Sequence, residues 1–125
     1  MVFNSGQKPS GFASPAQGYE EQYIDLNRLL VKNRPATYFF RLDSGDMEQF
    51  GLPMGALLVV DRSKKPVPNS IVIIRHEGQF FCRMMTRINA KVIFTNGEDD
   101  IIPTTGDTEI IGVVTASIKL YDISY

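Results

Sequence analysis

His76 is the chain's single histidine and stands beside Glu77, just before Gly78. Histidine serves as a general acid or base near neutral pH and as a metal ligand, but either role needs partners. No second histidine and no nearby cysteine completes a metal shell or a nucleophilic pair, so His76 reads as an exposed polar residue of a turn. Glu98, Asp99 and Asp100 form a carboxylate run of the kind that ligates hard cations. The run lacks the alternating spacing of a calcium loop and reads as a solvated turn. Cys82 is alone, which excludes an intrachain disulfide and a multi-cysteine metal site and fits a reducing compartment. No glycine-containing stretch leads into the Lys-Ser/Thr pair of a phosphate loop. No metal and no cofactor are expected. Phe80, Phe81, Met84 and Met85 make a soft apolar stripe, a composition shared by protein cores and by adaptable partner-binding faces.

The elements that hold these residues are mostly strands. Tyr23, Leu26, Leu29 and Leu30 recur at helical spacing until Asn33 and Pro35, which predicts a short helix near residues 23–32. Beyond Pro35, runs at 37–42, 56–61, 71–75, 79–85, 91–94 and 110–121 are rich in β-branched and aromatic residues. Turn clusters at 43–46, 66–70, 76–78, 96–100 and 103–107 separate them, and residues 75–79 read as a tight hairpin with Glu77-Gly78 at its tip. The expected fold class is mainly β: a curled, partly closed, barrel-like sheet with one short N-terminal helix. Residues 4–18 are dominated by Asn, Ser, Gly, Gln, Pro and Ala, so residues 1–18 are expected to be a flexible N-terminal arm, with Phe12 and, just beyond, Tyr19 as anchors. Residues 19–125 form the single domain.

The chain has 125 residues, with 13 Lys and Arg against 14 Asp and Glu and a formal charge of −1. Such a balance argues against direct DNA binding and against anionic membranes, both of which call for excess positive charge. The longest apolar run, 56–60, is far too short to span a bilayer, and the N-terminus lacks the apolar segment of a signal peptide. A cytoplasmic protein with a protein partner is expected.

Longer patterns add a resemblance. Residues 10–22, 24–27 and 36–39 resemble segments of the self-cleaving LexA/UmuD family, specifically of its UmuD type. Gly51–Asp61 resembles the family's Gly-x-x-x-Gly-Asp-Leu-Leu-x-Val-Asp segment, Ser70–Ile73 its Gly-Asp-Ile-Val-Ile strand, Gly78–Phe80 its hairpin and Gly112–Val114 its closing strand. The likeness runs from about residue 10 to residue 120. It implies the family's fold and a Ser-Lys dyad, in which a lysine made neutral by burial and neighbours takes the proton of a serine hydroxyl.

At both dyad positions this chain departs from the pattern. With Met47 and Gly51 as anchors, the nucleophile position falls on Asp46, and counting from Gly78 puts the base position on Arg83. A carboxylate has no hydroxyl to activate, and a guanidinium stays protonated and cannot act as a general base. The resemblance therefore implies a pseudo-peptidase, with Asp46 and Arg83 expected to form an ion pair where Ser and Lys would meet. Ser44 is the fallback nucleophile, from Ser44-Gly45-Asp46-Met47, but the candidate bases Lys64 and Lys65 lie in a polar loop. Ser10-Gly11 occupies the position of the self-cleavage bond, with ten residues before Gly11, so the chain is expected to begin near the processed form.

The function this implies is that of a non-catalytic accessory subunit of a UmuC-type, Y-family lesion-bypass DNA polymerase in the SOS response, with a recombinase filament as a further partner. The alternative is a self-processing serine peptidase using Ser44. A repressor would need an N-terminal helix-turn-helix, which the short polar arm does not supply. A homodimer is expected through the C-terminal run, where residues 110–114 and 118–121 would otherwise present an apolar strand edge.

Overall fold

A computed structural model describes residues 25–122. The expected helix is there but shorter: α1 spans Leu26–Leu30. The Asp25 side chain caps it, accepting a hydrogen bond from the Arg28 N–H at 3.3 Å, and the chain is already extended at β-branched Val31, two residues before Asn33. Leu26 and Leu29 remain 59% and 58% exposed, so the apolar face that predicted the helix is not buried among the described residues. A 3-10 turn at Arg34–Ala36, seeded by Pro35, leads into the sheet.

Seven strands follow: β1 (Thr37–Arg41), β2 (Leu57–Asp61), β3 (Ile71–His76), β4 (Gln79–Ile88), β5 (Lys91–Thr95), β6 (Ile101–Pro103) and β7 (Thr108–Ile118). They form one antiparallel sheet in the order β1-β2-β7-β3-β4-β5-β6, with β1 and β6 as its unjoined edges. The expected β3–β4 hairpin is present, with Glu77 and Gly78 both at positive φ. β6 was not foreseen: it has only three residues, and its Pro103 can be accommodated because an edge strand need not donate on both sides. The C-terminal run is not an edge. β7 lies inside the sheet between β2 and β3, which removes the edge argument for a dimer along that strand.

β7 carries two bulges. Its register slips opposite Ile73/Ile74, leaving Ile111 as the extra residue, and again opposite Val59/Val60, leaving Thr115. Bulges bend a strand and increase its twist, and here they act on the strand that joins the two halves of the sheet. Apolar residues on both sides of β3 are consequently buried. Ile73 belongs to a cluster with Leu42, Met47, Leu52, Ala56, Leu58, Val60 and Cys82, whereas Val72 and Ile74 pack with Phe94, Ile102 and Val113. Phe81 and Met85 of the soft stripe pack against the second cluster, while Phe80 stays 58% exposed beside the Phe40 ring. The edges do not hydrogen-bond, but the curl brings the β1–β2 connection against the β5–β6 turn, where a Cβ on Gly97 would stand 3.0 Å from the Phe50 ring.

Candidate functional site

The β1–β2 connection presents Asp46 from a well-anchored loop. Met47 has no exposed surface, and Leu42, Leu52 and Ala56 are buried with it. Backbone bonds from Leu42 N–H to the Ala56 carbonyl (2.9 Å) and from Gly55 N–H to the Leu42 carbonyl (2.6 Å) close the loop. The 3-10 turn Glu48–Phe50 then ends at Gly51, whose φ of 79° a β-carbon would strain. Asp46 is thus held from the residue that follows it, with its carboxylate half-exposed at the rim.

Arg83 projects from β4 with its side chain only 5% exposed. Its Nε and one terminal nitrogen both donate to Oδ2 of Asp100, at 2.9 and 2.6 Å. The other terminal nitrogen donates to the Cys82 carbonyl at 2.7 Å, and the guanidinium carbon lies 5.2 Å from the centroid of the Phe81 ring. Asp46 Oδ2 stands 3.4 Å from the nitrogen shared with Asp100. Asp46 and Arg83 are brought together as the expected ion pair, but Asp100 lies closer to the guanidinium than Asp46 does. The buried guanidinium is thus a charge-assisted clasp that joins β4 to the β1–β2 connection and the β5–β6 turn.

Asp100 is the site residue that sequence reasoning missed. It belongs to the carboxylate run read as a solvated turn, and that reading holds for Glu98 and Asp99, which are exposed. Asn96 organises the turn: its side-chain oxygen accepts from the N–H groups of Glu98 (2.9 Å) and Asp100 (3.0 Å), and its amide donates to Asp99 at 3.2 Å. The backbone adds Asn96 N–H to the Asp100 carbonyl at 3.2 Å. An arginine within the apolar run Phe80-Phe81-Cys82-Arg83-Met84-Met85 was the available signal, because a guanidinium buried in a strand needs a carboxylate to pair with. Among the described residues, no group of three or more His, Cys, Asp or Glu side chains is placed to hold a metal ion.

The other candidates lie elsewhere or stay unlinked. Ser44 is partly buried, and its hydroxyl oxygen accepts one hydrogen bond, from the Asp46 N–H at 3.5 Å. Lys64 and Lys65 are exposed in the β2–β3 connection, Lys64 beside Asp61, and neither hydrogen-bonds to Ser44. Hydrogen bonds from Ser63 hold the Asp61 carboxyl below its usual range. His76 is not an exposed turn residue: it ends β3 with its side chain 13% exposed, and its Nδ1 is 2.8 Å from Thr108 Oγ1 on β7. Strand pairing beyond the hairpin tip draws the ring inward. Cys82 is buried beside Arg83, and desolvation pushes its thiol up to about 12, so it is no nucleophile at neutral pH. Ser10, Gly11 and the rest of the expected arm lie outside the described residues. No helix among the described residues is long and apolar enough to cross a membrane.

Comparison with known proteins gives this geometry a family. A family model described as Peptidase S24-like matches residues 3–115. The SamA protein of Salmonella typhimurium is 36% identical over 113 residues, covering 88% of this chain and 79% of its own. The MucA protein of Escherichia coli is also 36% identical over 113 residues, covering 87% and 77%. The ImpA protein of Shigella flexneri is 45% identical over 71 residues, 57% of this chain and 49% of its own. A mainly β domain with this arrangement, matched along most of its length, belongs to the S24-like peptidase family, the family of LexA and UmuD.

Proposed function

We propose that this chain is a UmuD′-like, non-catalytic accessory subunit of a Y-family, lesion-bypass DNA polymerase of the UmuC type, acting as a cytoplasmic homodimer in the SOS response. The observation that carries the reading is the buried Arg83 clasp. At the two positions where the family's chemistry needs a hydroxyl and a neutral amine, this chain has a carboxylate and a guanidinium, 3.4 Å apart and tied down by Asp100. Self-cleavage through Ser44 finds less support, since among the described residues no lysine hydrogen-bonds to its hydroxyl. A formal charge of −1 fits a subunit that leaves DNA contact to the polymerase. Because β7 is an inner strand, a dimer through the C-terminal run would use side chains such as the exposed Ile110 and Tyr121 rather than backbone pairing.

The test is co-expression with the UmuC-type polymerase encoded beside it or in the same host, followed by pull-down on a tag carried by this chain. The polymerase is expected in the bound fraction, with only modest loss at moderate salt because the chain is nearly neutral. A pull-down that recovers no polymerase refutes the assignment.

A further inference from the structure

We infer that Asp100, outside the two dyad positions, by itself favours the charged form at the base position, so that a serine and a lysine restored there would lack a neutral base near neutral pH. The inference rests on the reading of Asp46 and Arg83 as the former nucleophile and base positions. Two donors of Arg83, Nε and a terminal nitrogen, converge on one oxygen of Asp100 at 2.9 and 2.6 Å. A lysine following the same path would put its Cε where Nε now stands and its ammonium where the guanidinium carbon stands, between those two donors and within ion-pair reach of the same oxygen. A carboxylate at that range favours the protonated amine, the opposite of what a general base requires.

The backbone at Asp100 is held in place. Its N–H donates to the Asn96 side-chain oxygen and its carbonyl accepts from the Asn96 N–H, Asn96 is buried, and a Cβ on Gly97 would stand 3.0 Å from the Phe50 ring. The other groups facing position 83 do not replace its effect. Asp46, on the β1–β2 connection, is more distant and is removed when serine is restored. On β4 itself, Cys82 is a thiol that burial keeps neutral and Phe81 offers a ring face, while Val72, opposite on β3, is apolar. Asp99, on the same turn as Asp100, is engaged by Asn96.

The test compares two full-length chains, Asp46→Ser/Arg83→Lys and the same pair with Asp100→Asn. Each carries carbon-13-labelled lysine, and the new side chain is followed by NMR as pH is raised. Loss of the Asp100 charge is expected to lower the lysine's titration midpoint by about one pH unit or more. Cleavage at Ser10-Gly11, read by mass, is expected to set in at a correspondingly lower pH in the triple variant. Arg83→Lys with and without Asp100→Asn, in chains that keep Asp46, gives a second comparison if the serine variants do not fold, and a shift of the same sign is expected. Equal midpoints with and without Asp100 overturn the inference, whether or not either chain cleaves. Self-cleavage of the native chain would overturn the non-catalytic reading instead, so the two failures are distinguishable.

Discussion

Replacing Asp100 by alanine should cost the domain much more stability than replacing Asp46, although both carboxylates contact the same guanidinium. Asp100 accepts two short charge-assisted hydrogen bonds, at 2.9 and 2.6 Å, whereas the Asp46 contact at 3.4 Å is beyond the range of a strong one. Arg83 is 5% exposed and cannot recover the loss by turning to water. Removing one partner of a fully buried ion pair costs about 3–5 kcal/mol, because a charge is left buried without compensation. The Asp100 side chain is 41% exposed and Asp46 still faces the guanidinium, so we discount this to about 2 kcal/mol. For a domain of this size that is roughly 8 °C in Tm. Asp46→Ala, with a side chain 52% exposed, should stay within about 0.5 kcal/mol. Thermal and urea unfolding followed by circular dichroism measure both. Equal losses, or a larger loss for Asp46→Ala, would refute the view that Asp100 is the anchor of Arg83.

Two further substitutions probe the curl and the buried strand. Gly112 lies beside a bulge of β7, where an added Cβ would come within 2.7 Å of a Val60 methyl and 3.1 Å of the Asp61 carbonyl. Gly112→Ala should therefore destabilise by about 1–3 kcal/mol in urea unfolding, and an unchanged midpoint would mean that β2 and β7 are not so close. Cys82 should resist thiol reagents at pH 8 until the protein unfolds, since burial raises its thiol from 9.0 to about 12. The unfolded chain loses that proton near pH 9 and the folded one does not, so stability present below pH 9 is lost as pH rises toward 12. Cys82→Ala should flatten that alkaline decline by up to about 1.4 kcal/mol per pH unit, and an identical slope would contradict the assignment.

Much of the sheet was legible because its strands are long enough to show their composition. β2, β3 and β5 fall within about a residue of the β-branched runs that predicted them. Their order was not legible: nothing in residues 108–118 says that β7 inserts between β2 and β3, since that is decided by long-range packing and by two bulges. β6 escaped because three residues ending in proline carry no periodic signal. At the site, the family pattern led to Asp46 and Arg83 but not to Asp100. Asp100 looks like its exposed neighbours Glu98 and Asp99, and what distinguishes it is the Asn96 turn that aims it at an arginine 17 positions earlier in the chain. His76 was misjudged for a related reason, because its burial comes from Thr108 on a strand that is distant in sequence.

The central claim, that positions 46 and 83 no longer form a working dyad, is tested most directly by the mass of the native, full-length chain after prolonged incubation at alkaline pH, where self-cleavage by a Ser-Lys dyad would be favoured. With a guanidinium that cannot deprotonate at the base position, the mass should remain that of all 125 residues. Loss of residues 1–10 by cleavage between Ser10 and Gly11, in the absence of any other protease, would contradict it.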